Sequence, residues 1–115
     1  MLSTAHRLRD AEDFRAATRR GTRASSRTLV AHLVVPEAPS DGEPGVGFVV
    51  GRRVGSAVVR NRVKRRLRHL VRERLRVLPA GSALVIRAKP DSAIASSAGL
   101  GADLDYALNR LLDQR

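Results

Sequence analysis

The chain has 115 residues, no cysteine and a formal net charge of +11. This length suits one domain over residues 1–115, with a core of its own. The lack of cysteine excludes a disulfide framework and a thiolate metal site. No apolar run is long enough for a signal peptide or a spanning helix, so we expect a cytoplasmic protein that does not enter a membrane. The strongly basic charge favours an anionic partner such as a nucleic acid.

The first predicted element is a helix at residues 11–20. Asp10 and the acids after it suit the first turn of a helix, because they complement the helix dipole, and Gly21 suits the end. Residues 22–26 are polar and predict a loop. Residues 27–35 then alternate between apolar and mixed positions, which predicts a strand with one core face and one more open face.

The later elements follow from the same patterns. Residues 36–44 predict a hairpin-like loop, and residues 45–51 a second strand that pairs most simply with the first in antiparallel fashion. Residues 82–89 predict a third strand, with Leu84, Ile86 and Ala88 inward. Small residues at 92–101 predict a loop, and a leucine-rich stripe at 103–114 predicts a last helix.

Most of the charge lies in residues 52–76, which contain eleven Lys/Arg and a single acid, Glu73. The aliphatic residues of this segment recur at helical spacing and form one stripe: Val59, Val63, Leu67, Leu70 and Val71. Ser56 is the expected N-cap, and residues 78–81 supply the stop. The arginines fall largely outside the stripe. We therefore predict a helix that buries its aliphatic side and presents guanidinium groups to phosphates.

The residues do not predict a catalytic or metal site in the protein itself. Metal-dependent cleavage of a phosphodiester needs clustered carboxylates, whereas the acids here are scattered over helix ends and loops. The three histidines, His6, His32 and His69, lack the spacing of a zinc site. The glycines between residues 45 and 55 match neither a G-x-G-x-x-G nor a G-K-[ST] motif, so strand ends and turns explain them better.

The segment VGSAVVRNRVKRRLR, with Arg60-Asn61-Arg62 at its centre, strongly resembles the protein component of bacterial ribonuclease P. That family carries an R-N-R signature on a long basic helix, after a strand and a basic turn. The turn here is Arg52-Arg53-Val54-Gly55. The likeness covers about residues 6–112, and the R-N-R helix in this setting is a far more specific signal than a basic helix alone.

The resemblance implies an α+β fold in the order α-β-β-β-α-β-α, with helices packed on a small four-stranded sheet. It also implies a left-handed crossover through the basic helix, as in a domain of a small-subunit ribosomal protein. The residues alone indicate three strands. We therefore expect the fourth strand to come from splitting or extending residues 27–51.

The resemblance also implies a ribonucleoprotein in which the protein is not the catalyst and binds no cofactor. A large RNA subunit with bound Mg²⁺ hydrolyses precursor tRNA and releases the 5′ leader, while the protein binds both the ribonuclease P RNA and the leader. The RNA-binding positions of the family carry over onto Arg52, Arg53, Arg60, Asn61, Arg62, Lys64, Arg65 and Arg68. The leader cleft carries over onto Phe14, Thr18, Val30 and His32.

The leader cleft departs from the family pattern, which usually has aromatic residues where this chain has Thr18 and His32. Stacking of a base on an aromatic ring contributes roughly 1–3 kcal/mol, so we expect a weaker stacking grip on the leader. Phe14 suits either the core or a stacking platform. His32 suits either an inert exposed position or a contact with RNA.

Two other classes of function share these features. Another structured-RNA-binding protein, such as a ribosomal protein, would have the same size and charge. A helix on a membrane surface would also be basic and amphipathic, but it normally has Trp or Phe on its apolar face. Here that face has only Val and Leu.

Overall fold

The computed structural model describes residues 21–113, which form four strands and two long helices. The strands are β1 (Thr22–Ser25), β2 (Leu29–Val34), β3 (Gly45–Val49) and β4 (Ala83–Ala88). Helix α1 (Ala57–Arg72) lies between β3 and β4, and helix α2 (Ser97–Asp113) follows β4. The α+β class and the four-stranded sheet are confirmed. The predicted first helix at residues 11–20 lies outside the described residues.

The strands lie in the order β1-β2-β4-β3. β1 and β2 are antiparallel, as are β2 and β4, whereas β3 is parallel to β4. The predicted antiparallel pairing of residues 45–51 with the first strand is therefore wrong. β4 lies between β2 and β3 in the sheet. Its residues Leu84, Val85 and Ile86 are all fully buried. Such a continuous apolar run is typical of a central strand that is covered on both faces.

The first strand was missed, because residues 22–26 were predicted to be a polar loop. In β1 only Ala24 is buried. The strand is held by its ladder with β2, in which Thr22 lies opposite Leu33 and Ser25 lies opposite Val30. An edge strand of this kind depends on backbone pairing and needs little buried side chain. The fourth strand therefore precedes residue 27, and the expectation that it came from residues 27–51 is wrong.

One face of the sheet packs with both helices into a single core. β2 and β4 contribute their inward residues to it, and both helices contribute their apolar stripes. The fully buried larger side chains of this core include Leu29, Leu33, Leu84, Ile86, Val63, Leu67, Val71, Leu104 and Leu111. The inward residues predicted for the third strand and the stripe predicted for the last helix are therefore confirmed.

Helix α2 begins earlier than predicted, within residues 92–101. The hydroxyl oxygen of Ser96 accepts a hydrogen bond from the backbone N–H of Gly99 at 3.0 Å, as an N-cap does. A short 3-10 turn at Pro90–Ala93 precedes it. Gly101 lies within this helix. A Cβ at this position would come within 3.3 Å of side-chain atoms of Leu70 and Arg74. Close packing of α1 against α2 therefore explains a glycine that weakens the local helix signal.

Candidate nucleic-acid interface

Helix α1 buries the aliphatic stripe predicted from its sequence. Val63, Leu67 and Val71 are at most 1% exposed. The hydroxyl oxygen of Ser56 accepts a hydrogen bond from the backbone N–H of Val59 at 3.3 Å, which confirms the predicted N-cap. The helix itself ends at Arg72, before the predicted stop at residues 78–81.

The buried stripe also bears on the membrane alternative. A helix that lies on a bilayer must insert its apolar side into lipid. The apolar side of α1 is already part of the protein core, so it is not available to lipid. No helix in residues 21–113 has the length and apolar character needed to cross a bilayer.

A basic turn precedes α1. Arg52 and Arg53 are exposed on a 3-10 turn at Arg52–Val54, which Val54 anchors in the core. Gly55 follows with a φ of +151°, and a Cβ there would lie 3.0 Å from Cγ1 of Val59. A glycine is therefore needed for the chain to pass from this turn into the helix. As a result, two guanidinium groups stand at the N-terminal end of α1.

The outer face of α1 carries the polar residues of the R-N-R region. Asn61 and Arg65 are exposed, and Arg68 is half-buried. Together with His69 they line an open cavity of about 360 Å³. Their spacing of four, seven and eight residues from Asn61 places them on one side of the helix. This hollow presents two guanidinium groups and an amide, which are suitable donors for a phosphate.

The acids of the protein do not neutralise this surface. Of the eleven Lys/Arg in residues 52–76, Arg74 is the one that forms an ion pair with an acid of the described chain, with Asp105. The acid of the segment itself, Glu73, accepts from Nε2 of His69 at 2.9 Å. The remaining cations of the segment therefore present a positive field to solvent, as an RNA-binding surface requires.

Two arginines of α1 form hydrogen bonds with backbone carbonyl groups of the protein itself. Arg62 is half-buried and donates through Nη2 to the carbonyl oxygen of Ala93 at 3.1 Å. Arg66 donates through Nη1 to the carbonyl oxygen of Ala95 at 3.2 Å. We call residues 93–95 the carbonyl strap. Between its two anchored carbonyls, Ile94 is 83% exposed. Sequence reasoning missed these contacts because the partners are backbone atoms about thirty residues away.

The remaining predicted RNA-contacting side chains lie on the flanks of α1. Arg60 and Lys64 are half-buried, with no ion pair to an acid in residues 21–113. The structure therefore brings the predicted RNA-binding residues together on one helix and the turn before it. Their contact with RNA stays a prediction.

The predicted leader residues Val30 and His32 lie on a different surface, the face of the sheet that points away from α1. Val30 is buried and His32 is half-buried in β2. Arg23 of β1 lies directly opposite His32, and Arg87 of β4 lies opposite Val30. Phe14 and Thr18 lie outside the described residues. Arg23 had been missed because the alternation of β1 is too short to reveal a strand.

The environment of His32 disfavours its charged form. Burial lowers the pKa of His32 below its usual value of 6.5, and the positive charges of Arg23 and Arg87 lower it further. The imidazole is therefore neutral at neutral pH. A neutral histidine between two arginines is a feature that the sequence pattern did not predict.

The described residues do not fit a magnesium site of the protein's own. Residues 21–113 contain no group of three or more His, Asp or Glu side chains close enough together to hold a metal ion. Mg²⁺ prefers several carboxylate oxygens or phosphates as ligands.

Comparison with known proteins places the chain in a family. Residues 2–112 match the family model described as Ribonuclease P. The ribonuclease P protein component of a Nocardioides species is 56% identical over 111 residues, which cover 96% of this chain and 95% of the relative. That of Streptomyces avermitilis is 53% identical over 118 residues and covers 97% and 96%.

Solved structures show the same fold. The ribonuclease P protein of Staphylococcus aureus superposes with a TM-score of 0.79 at 20% identity, covering 92% of this chain and 94% of that one. The ribonuclease P protein of Thermotoga maritima superposes with a TM-score of 0.72 at 25% identity, covering 91% and 94%. With the basic helix, the turn before it and the sheet order all in place, the chain belongs to the ribonuclease P protein family, the protein component of a ribonucleoprotein of tRNA processing.

Proposed function

We propose that this chain is the non-catalytic, RNA-binding subunit of a cytoplasmic ribonuclease P and assists removal of the 5′ leader from precursor tRNA. The RNA subunit, with its Mg²⁺, would supply the hydrolysis. The observation that carries the proposal is the outer side of α1. It is a rigid cationic surface, locked to the core by its aliphatic side and largely unpaired with the acids of the described chain.

The mechanism we propose is neutralisation of charge. Folded RNA brings phosphates close together, and a precursor tRNA adds further negative charge as it approaches. Guanidinium groups held on one helix reduce this repulsion without having to be ordered first, since the helix is already formed. The protein would therefore reduce the concentration of Mg²⁺ that the RNA subunit needs.

The RNA-binding residues proposed for this role are those of the turn and of α1. Arg52, Arg53, Asn61 and Arg65 are exposed and suited to direct contact. Arg68 is half-buried but lines the same hollow as Asn61 and Arg65. Arg60, Arg62 and Lys64 are half-buried and would contribute mainly charge at the margin. The leader would lie on the sheet face of Val30 and His32, together with Phe14 and Thr18 of the preceding segment.

Reconstitution tests the proposal. The ribonuclease P RNA of the same organism is mixed with a precursor tRNA that carries a labelled 5′ leader, at low Mg²⁺, with and without the protein. We expect the protein to stimulate cleavage at the mature 5′ end. A protein that binds both RNAs but leaves the cleavage rate unchanged would contradict the proposal and favour another structured-RNA-binding role.

A matched pair of variants links the effect to α1. Arg65→Ala removes an exposed cation from the outer face of α1, and Arg110→Ala removes one from α2, where Arg110 lies 5.7 Å from the ring centroid of Tyr106. Both variants have one positive charge fewer. We expect reduced stimulation from Arg65→Ala alone. Equal losses of stimulation would mean that net charge, and not this surface, determines the activity.

A further inference from the structure

The sheet face opposite α1 carries a group of cations around one histidine. In directly paired residues of neighbouring strands the side chains leave the sheet on the same side. Arg23 and His32 are such a pair, and Val30 and Arg87 are another. Because Val30 and His32 are two residues apart on β2, all of these side chains share one face. Arg87 is then the diagonal neighbour of His32.

This face contains no opposing charge in the described chain. None of the residues that the strand register places on it is Asp or Glu. Lys89, two residues beyond Arg87, donates from Nζ to Oγ of Ser25 at 2.6 Å and so adds a further cation at the edge. Arg23 and Arg87 are exposed and form no ion pair with residues 21–113. The cluster is therefore ready for an anion from outside.

The exposed part of the same face limits what that anion can be. Val30 and Val85 are buried beside the cluster, so a ligand there would meet the exposed Arg23 and Arg87 and the half-buried His32. Guanidinium groups on neighbouring strands suit a polyanion whose phosphates recur along an extended chain, as those of single-stranded RNA do.

We propose that single-stranded RNA bound beside Arg23 and Arg87 causes His32 to take up a proton, so that the affinity of this face for RNA depends on pH. The inference rests on the proposed function, in which the 5′ leader occupies this face. It adds a dependence on pH that aromatic residues at the position of His32 would not have. His32 acts as a binding residue and not as a catalytic one.

The direction of the pH effect follows from the charges. Without RNA, burial and the two arginines keep the pKa of His32 below 6.5. A bound phosphate attracts the imidazolium and raises that pKa, so the affinity for RNA increases as the pH falls. Each unit by which the pKa rises corresponds to about a tenfold gain in affinity at acidic relative to alkaline pH.

The experiment measures binding to the reconstituted holoenzyme from about pH 5.5 to 8 at constant ionic strength. The quantity is the ratio of affinities for precursor tRNA with a leader and for mature tRNA without one, so titration of the rest of the complex cancels. We expect the ratio to increase towards acidic pH, by about threefold to tenfold. A ratio that does not change with pH would overturn the proposal.

Two variants identify the histidine. His32→Gln should abolish the dependence of the ratio on pH. His69→Gln removes the histidine of α1 and should retain that dependence. Loss of the dependence in His69→Gln, or its persistence in His32→Gln, would overturn the assignment.

A second measurement does not depend on a variant that folds. The imidazole NMR signals of His32 are followed through a pH titration, with and without a short single-stranded RNA. We expect RNA to raise the pKa of His32, and an unchanged or lowered pKa would overturn the proposal. If the protein fails to stimulate cleavage at all, the proposed function is wrong. If it stimulates cleavage but the ratio is independent of pH, only this inference is wrong.

Discussion

Arg74 and Arg65 carry the same charge in the same basic segment, but their surroundings give them different roles. Arg74 donates through Nε to Oδ1 of Asp105 at 2.5 Å and through Nη1 to the carbonyl oxygen of Leu70 at 2.8 Å. The hydrogen bond between the two side chains raises the pKa of Arg74 and lowers that of Asp105. Arg65 is exposed and has no such ion pair within residues 21–113.

Arg74→Ala should lower the free energy of unfolding by about 1 kcal/mol, a modest value because Asp105 is half exposed and water weakens the ion pair. Arg65→Ala should change it by less than about 0.5 kcal/mol and should instead weaken RNA binding. Thermal denaturation and RNA titration of both variants check this. Equal losses of thermal stability would contradict it.

The contribution of this ion pair should also depend on pH. Folding lowers the pKa of Asp105, so the unfolded chain binds the proton more readily. The stabilisation is therefore complete above the ordinary value of 3.8 and is lost as the pH falls through the lowered pKa.

At the scale of elements, the carbonyl strap joins α1 to α2. Arg62 and Arg66 hold the carbonyl oxygens of Ala93 and Ala95, immediately before the N-cap of α2. The R-N-R helix therefore positions the next helix as well as any RNA. An arginine in this segment cannot be assigned to RNA binding from its charge alone.

Arg66→Ala should loosen the strap. Without the guanidinium group, the half-buried carbonyl of Ala95 loses its side-chain donor, and we expect an unfolding free energy lower by about 1 kcal/mol. Hydrogen exchange of the amides at residues 94–100 should be faster, with little change in β2 and β4. Arg65→Ala, one position away, is the control. Faster exchange in both variants would show that the strap does not depend on Arg66.

The sequence predicted the elements that carry a strong pattern of their own. The stripe of α1, its N-cap at Ser56 and the inward residues of β4 are local signals, and all were confirmed. β1 has no such signal, because one buried alanine does not reveal a strand that exists only beside β2. β3 pairs in parallel with β4, and the whole of α1 lies between these two strands in the sequence. A hydrophobic pattern within one segment does not show which distant strand it pairs with.

The candidate site also has one part that the sequence predicts and one part that it does not. The basic face of α1 follows from spacing alone, because charged residues avoid the stripe. The group of Arg23, His32 and Arg87 comes from three strands and needs their register. The burial of His32 and its repulsion by the two arginines keep the imidazole neutral, and both are properties of the assembled sheet.

At the scale of the whole molecule, most of the net charge comes from one segment of a small domain. Residues 52–76 carry a net charge of +10, and the other ninety residues sum to about +1. Helix α1 is about 24 Å long at 1.5 Å per residue, which is enough to meet several phosphates along a strand. Binding should therefore depend on the release of counterions more than on base recognition.

RNA affinity should fall steeply with salt. If about 6–10 phosphates are bound, the affinity should fall about 10³–10⁵-fold between roughly 50 and 200 mM salt. Replacing Arg52 and Arg65 together with alanine should reduce the logarithmic salt slope by about one unit for each phosphate that the variant no longer binds. Filter binding across a salt series gives these slopes. A slope near zero in the unmodified protein would exclude this mode of binding.

The place of β4 in the sheet has a consequence for biosynthesis. The strand that lies between β2 and β3 is also the last of the four to leave the ribosome. Until about residue 88 has emerged, β2 and β3 lack their common neighbour, and α1 lacks much of the apolar floor on which it rests. The arginines of α1 therefore emerge from the ribosome before the sheet that orients this helix can form. Their arrangement on one surface is complete only after β4 has joined the sheet.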